Sequence, residues 1–286
     1  MRKIKDRKDG KRIKVNGMNY IMYHLKKKRC DSEVYINKKI DVTNLVKYMD
    51  KQKQESKNHL TYFHAFSAGI AKVIYNRPYL NRFIVNGHFY ERNGVYISYV
   101  AKTEFNDDSQ EVMQVYKVKP NDNIFTISEN LSKKVKSARK STTSSTDNLV
   151  EKVGSMPKPL RAIIAGVYKF LDKHDLLPTS MTKEILYYST VILSNIGSIG
   201  SKEAIYHNIT DFGTNSIIIT MGKIYKEEII NENGKKEIKD FCEFGITLDE
   251  RIADGFYMIK SIELLENIFK NPKLLEDDCS EKLEIK

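Results

Sequence analysis

No apolar run in this chain approaches the roughly 18 residues that a membrane-spanning helix needs, and none follows the lysine- and arginine-rich N-terminus in the manner of a signal peptide. A membrane span and a secretory leader are therefore not expected, and a cytoplasmic location is. Cysteine is scarce: Cys30, Cys242 and Cys279 are odd in number and lack metal-ligand spacing, which argues against a disulfide framework or a zinc site and for reduced thiols. The histidines, His24, His59, His64, His88, His174 and His207, are scattered, and no two sit four residues apart as a helical metal pair would. No metal is expected. No repeat of solenoid length is visible, and the absence of tryptophan constrains nothing.

What is present is the balance of a soluble globular protein. The 286 residues are 41% hydrophobic and 30% charged, enough for a sizeable core. The formal net charge of +11 is concentrated at the N-terminus, where Met1 to Arg29 carries +10 and everything after it only +1. Such an arm attracts nucleic acid, anionic lipid or a phosphorylated cofactor, but its ordinary meaning is a solvated surface segment. With no recognition module around it, nucleic acid is not an expected partner.

Hydrophobic periodicity outlines the elements. Ser32 to Ile36 reads as a short strand, and Ile40-Asp41-Val42-Thr43 opens a helix with Leu45, Val46 and Met49 on one face and Asp41 or Thr43 as its N-cap. A loop at 52–58 precedes a second helix, marked by Leu60, Phe63, Ser67, Ile70 and Ile74 and stopped at Arg77-Pro78. Phe83 to Tyr90 reads as a hairpin, because Asn86-Gly87 suits the two positive φ angles of a type I′ turn. Strands at 95–102 and 112–118 follow, then a polar helix from Asn123 to about Lys140 and a polar stretch at 141–148 expected to be a loop. Residues 159–173 form an amphipathic helix, with Leu160, Ile163, Ile164, Val167, Phe170 and Leu171 on one side and Lys158, Arg161, Lys169 and Lys173 around it. Core packing or a lid explains it, with a membrane-surface helix the lesser alternative. A strand at 190–194, a hairpin of 216–229 with 237–247, and a last helix from Gly255 to Phe269 stopped by Asn271-Pro272 complete the chain. This mixture points to an α/β or α+β, two-layer sandwich of a mixed, largely antiparallel sheet covered by helices.

Several short motifs carry a sharper message. Asp249-Glu250-Arg251-Ile252-Ala253-Asp254-Gly255 resembles the His-x-x-x-Asp-Gly signature of the chloramphenicol acetyltransferase and dihydrolipoyl acyltransferase superfamily, with Glu250 in the histidine position. Ile40-Asp41-Val42-Thr43, Pro78-Tyr79-Leu80-Asn81, Ser194-Asn195-Ile196-Gly197, Thr220-Met221-Gly222-Lys223 and Asn271-Pro272-Lys273-Leu274-Leu275 are similar to further motifs of that superfamily, in the same order. Together they span most of the chain from about Arg29 to Leu275.

The resemblance implies a chloramphenicol acetyltransferase-like fold and a homotrimer with active sites between subunits. It also implies coenzyme A or acyl-coenzyme A as co-substrate and a small-molecule acyl acceptor carrying a hydroxyl, amine or thiol. Carried over residue by residue, Ser194 is the oxyanion donor, Asp254 the carboxylate that holds the loop by an ion pair, and Glu250 the group in the base position. No other coenzyme-binding residue is assigned; Arg12, Lys28 and Arg29 are the candidates to pair with Asp254 or with a coenzyme A phosphate. No lipoyl attachment segment is seen before residue 30. The expected layout is a basic arm at 1–29, an acyltransferase-like domain at 30–276 and a tail at 277–286.

The exchange at the base position matters chemically. An ordinary glutamate has a pKa near ~4.3 against ~6.5 for histidine, so it is a weak base toward a thiol near ~8.5. His64 and His207 are the candidates for a replacement base. The alternative to an acyltransferase is a non-catalytic relative that binds acyl-coenzyme A or a protein partner.

Overall fold

The computed structural model describes residues 5–55, 59–102, 111–140 and 151–284. A small antiparallel sheet joins β1 (Gly10–Arg12), β3 (Arg82–Val85) and β4 (His88–Arg92) in the order β1-β4-β3. The large sheet takes β2 (Glu33–Asp41), β5 (Val95–Lys102), β6 (Glu111–Val118), β7 (Val191–Asn195), β8 (Ile217–Met221) and β10 (Lys236–Asp249) in the order β2-β10-β8-β7-β5-β6. β9 (Tyr225–Ile230) pairs with the near half of β10. Among the described strands only β5 with β7 and β7 with β8 run parallel, so the sheet is mixed and largely antiparallel, as its hairpins predict.

Alternation along the central strands gives the sheet two different faces. Val191 and Leu193, Ile217 and Ile219, and Phe244, Ile246 and Leu248 enter the main core. That face is covered by α2 (Thr43–Glu55), α3 (Tyr62–Asn76), α4 (Ile124–Lys140) and the last helix, Gly255–Lys270. The opposite face carries Ile192 and Ile218, buried with Leu186 and Ile209 in a small second cluster, and also Ser194, Thr220 and Thr247.

The helices begin where local chemistry satisfies their free N–H groups. Of the two caps open at the start of α2, Asp41 serves: its Oδ1 accepts from the Thr43 amide at 3.0 Å and hydroxyl at 2.6 Å. α2 runs through Glu55, past the start of the loop expected at 52–58, and 56–58 lie outside the described residues. Thr61 and His64 form a reciprocal capping box at α3. The polar stretch at 141–148 lies outside the described residues. Asn86 and Gly87 take φ of 52° and 74°, the left-handed pair a type I′ turn requires.

Three regions depart from the expected layout. The basic N-terminal segment is folded: β1 extends the 83–90 hairpin, and α1 (Gly17–Leu25), capped by Asn16, sets Tyr20 edge-on against Phe89. The segment after 276 is also docked, with Cys279 donating its amide to the Asp122 carbonyl and Leu283 donating to the Asn76 side chain. The first arm of the 216–247 hairpin is divided at Gly222 into β8 and β9, both pairing with the one long strand β10.

The helix Lys158–Lys173 stands as its periodicity predicts. Its inner side is held by Tyr168 against Phe212 and by Asp172 against Arg7, while Leu160, Ile163, Val167 and Phe170 remain exposed. No described helix is long and apolar enough to cross a membrane.

His64 is buried, and burial pushes its pKa down to about 4. Its Nδ1 accepts from the Thr61 amide at 3.3 Å and lies 2.9 Å from the Ser128 hydroxyl. A folded-state value below the ordinary ~6.5 means that the unfolded chain binds the extra proton, so this contribution is present above about pH 6.5 and is lost as pH falls toward about 4. Urea melts at about pH 7 and about pH 4.5 should show a loss of up to roughly 3 kcal/mol that shrinks in His64→Gln; an equal loss in both proteins would contradict this assignment.

Candidate active site

β10 delivers the Asp249–Gly255 loop to one end of the sheet, and a buried ion pair fixes it there. Asp249 is fully buried, and its carboxylate accepts from Arg251 Nε at 2.8 Å, Arg251 Nη2 at 2.7 Å and the Arg251 amide at 3.1 Å. Arg251 Nη1 then donates to the carbonyls of Lys26 and Lys27 at 2.8 and 3.0 Å. Arg29, itself buried, lies with Nε 4.0 Å from Asp249 and donates to the carbonyls of Thr210 and Gly213. Burial pushes the Arg29 guanidinium below its usual pKa, and Asp249 opposes the shift. One carboxylate thus gathers the loop, the segment after α1 and the 210–213 crossover.

Glu250 follows directly. Its amide donates to the Ser32 carbonyl at 2.9 Å, and its half-buried carboxylate is bonded to Lys26 Nζ. It lines a cavity of about 660 Å³ together with Lys14, Asn19, Arg82, Asp254 and Met258. Beside the cavity, Arg82 stacks on Tyr79, Tyr79 on Tyr257 and Tyr257 on Arg77.

Asp254 is exposed and caps the last helix, accepting from the Tyr257 amide at 2.8 Å. Among the described residues it makes no ion pair, and Arg12 and Arg29 turn elsewhere: Arg12 contacts His88 and Arg29 faces Asp249. The loop-holding ion pair expected of Asp254 is supplied instead by Asp249 and Arg251. The sequence does not assign this pairing to them, since two opposite charges two residues apart look solvent-exposed until their burial is known.

Ser194 sits near the C-terminal end of β7, half-buried on the second face of the sheet, and its hydroxyl has no hydrogen-bond partner among the described residues. Across from it on β8, the Thr220 hydroxyl is buried and unpartnered. The following turn depends on two glycines: a Cβ on Gly197 would strike the backbone of Gly222, and one on Gly222 the Lys202 carbonyl. The Ser-Asn-Ile-Gly and Thr-Met-Gly-Lys motifs therefore meet in space.

Glu250 and Ser194 do not meet within one chain. Ser194 is level with Thr220 and Thr220 with Gly245, whereas Glu250 lies five residues further on, just past the end of β10. The separation is roughly 17 Å along the strands and roughly 10 Å across them. The cavity that Glu250 lines does not include Ser194.

Of the two candidate replacement bases, His64 is committed to the α3 cap and is held neutral by burial. His207 is exposed in the crossover that passes over Gly245, between Tyr206, packed on Tyr35, and Asn208, which accepts from the Tyr35 hydroxyl. That places it at the β2 edge of the sheet. Among the described residues, no cluster of histidine, cysteine or carboxylate side chains could hold a metal ion.

Residues 176–276 match the sequence model of the 2-oxoacid dehydrogenases acyltransferase (catalytic domain) family. A probable dihydrolipoamide acetyltransferase from Listeria monocytogenes superposes with a TM-score of 0.60 at 19% identity, over 91% of this chain and 94% of that one. The dihydrolipoamide acetyltransferase of Azotobacter vinelandii superposes with a TM-score of 0.61 at 12% identity, over 93% and 95%. A chloramphenicol acetyltransferase gives 0.52 at 10% identity, over 88% and 94%. The chain has the chloramphenicol acetyltransferase-like acyltransferase fold. No curated protein matches it significantly in sequence. In this acyltransferase-like chain the matched region contains Ser194, Gly197, Gly222 and the whole 249–255 loop.

Breaking the buried pair should be costly, because an uncompensated charge is left without water. Arg251→Met is expected to lose about 3–5 kcal/mol in denaturant melts. A loss below about 1 kcal/mol, the range of an exposed pair, would contradict the anchoring role.

Proposed function

We propose that the chain is the catalytic subunit of an acyltransferase that moves an acyl group between a coenzyme A thioester and a small acceptor, with a dihydrolipoyl-type dithiol as the favoured acceptor. The carrying observation is that the acyltransferase family match at 176–276 encloses both the Ser194 turn and the Glu250 loop. Support also comes from Azotobacter vinelandii dihydrolipoamide acetyltransferase, whose catalytic mechanism was investigated through a serine and a histidine–asparagine pair four residues apart. Glu250 and Asp254 have the same spacing.

In this reading Glu250 occupies the base position and takes the proton of the attacking thiol. Its sulfur forms a bond to the thioester carbonyl carbon, and the carbonyl oxygen becomes an oxyanion. The Ser194 hydroxyl, free of other partners, donates to that oxyanion, the kind of contact worth about 10² to 10³ in rate. Collapse breaks the original carbon–sulfur bond, and the departing thiolate recovers the proton from Glu250. Because the two residues lie far apart in one chain, Glu250 of one subunit acts with Ser194 of the next, in a homotrimer like the one the family resemblance implies. Asp254 serves by capping the helix that follows the loop.

A second reading is a non-catalytic relative that binds acyl-coenzyme A or a protein partner. It is favoured by the Lys26 contact, which holds the Glu250 carboxylate in an ion pair.

Thiol release from acetyl-coenzyme A with dihydrolipoamide as acceptor separates the two. The acyltransferase reading expects Glu250→His to release faster than the native chain and Ser194→Ala to fall by about 10² or more. Identical background release from all three proteins would overturn it and leave the binding role.

A further inference from the structure

The amphipathic helix Lys158–Lys173 keeps its apolar side open. Core packing or a lid would cover Leu160, Ile163, Val167 and Phe170, yet these four are 43% to 62% exposed, and no residue of the helix is fully buried. Spacings of three, four and three residues set them in one row along the helix. At the α-helical rise the row is about 15 Å long.

A different side of the helix meets the body of the protein. Tyr168 packs on Phe212 and its hydroxyl donates to the Met181 carbonyl at 3.4 Å, while Asp172 pairs with Arg7 at 3.1 Å. None of the four apolar side chains lines either cavity that the helix borders. An apolar row that belongs to no cavity wall suits a fluid apolar layer, which demands no matching shape.

Charge decides what covers the row. The cations of the helix are Lys158, Arg161, Lys169 and Lys173, and its sole carboxylate, Asp172, turns inward to Arg7. Lys169 and Lys173 also line the cavity that holds Asp211, but Lys158 and Arg161 make no ion pair among the described residues. A second copy of this chain laid symmetrically on the row would bring the same cations together, and a neutral apolar partner would leave them without counter-charge. A layer that is apolar inside and anionic at its surface meets both demands.

We propose that the helix Lys158–Lys173 lies on an anionic lipid surface, with Leu160, Ile163, Val167 and Phe170 in the acyl-chain boundary and the cations of the same helix drawn to the headgroup charge. The inference stands on this helix and does not depend on acyl transfer.

Vesicle flotation of the full chain tests it, with phosphatidylcholine alone and with phosphatidylcholine and phosphatidylglycerol in equal parts. The native chain should float with the mixed vesicles, less as salt rises, and far less with the neutral ones. Ile163→Ser/Val167→Ser leaves the charge unchanged and, with folding checked by circular dichroism, should partition at least about tenfold more weakly. The chain has no tryptophan, so Phe170→Trp supplies a single probe whose emission should shift to the blue on the mixed vesicles. No flotation with the mixed vesicles, equal flotation with both, or undiminished flotation of the serine variant overturns the proposal, as does an unshifted emission from floating protein. If, without lipid, the native chain forms an oligomer that the serine variant loses, the row belongs to a second copy and the proposal falls.

Discussion

The buried Asp249–Arg251 pair is the constraint on which the functional end of this fold depends. A carboxylate with no exposure accepts three hydrogen bonds from one arginine, and the remaining Nη of that arginine reaches two carbonyls after α1. Desolvating two charges is costly, so such a pair holds only where its geometry is nearly saturated. Here it locks the Glu250 loop to the Lys26–Arg29 segment, and through Arg29 to the crossover at 210–213. One part of the wall of the Glu250 cavity, the 250–252 loop, is thereby held by this interaction.

Strand register sets the two candidate residues apart. β10 is long and ends at Asp249, whereas β7 and β8 stop at the other end of the sheet, where Ser194 and Thr220 share the second face. Pairing register therefore keeps Glu250 and Ser194 apart in a single chain however its side chains turn. An acyl-transfer centre built from these residues needs a neighbouring subunit, and the unpartnered hydroxyls on the second face suit an additional contact rather than a finished core.

Much of this was legible in the sequence. Alternation and helical spacing marked the large sheet and its covering helices, because burial on one face leaves a period of two in strands and of 3.6 in helices. Asn86-Gly87 named its own turn through the left-handed backbone it needs. The ordered motifs led to the acyltransferase fold and to Ser194 and Glu250 as places of interest. What stayed hidden depends on tertiary burial. The first 29 residues look like a solvated arm by charge, yet β1 and α1 dock through Gly10, Arg12 and Tyr20. Asp254 was assigned a loop-holding ion pair, but helix entry claimed its side chain, and Asp249 with Arg251 took that task. His64 could serve as base or cap by sequence alone; its hydrogen bonds to the start of α3 decide for the cap.

The claim that the candidate centre is shared between subunits can be measured without relying on turnover. In a Cys30→Ser background, which removes the exposed native thiol, Ser194→Cys and Glu250→Cys are placed in the same chain and treated with a short bis-maleimide. A shared centre predicts covalent dimers and trimers on a denaturing gel, with neither single-cysteine variant giving trimers. Monomers alone, at a protein concentration where the chain sediments as an oligomer, would contradict it.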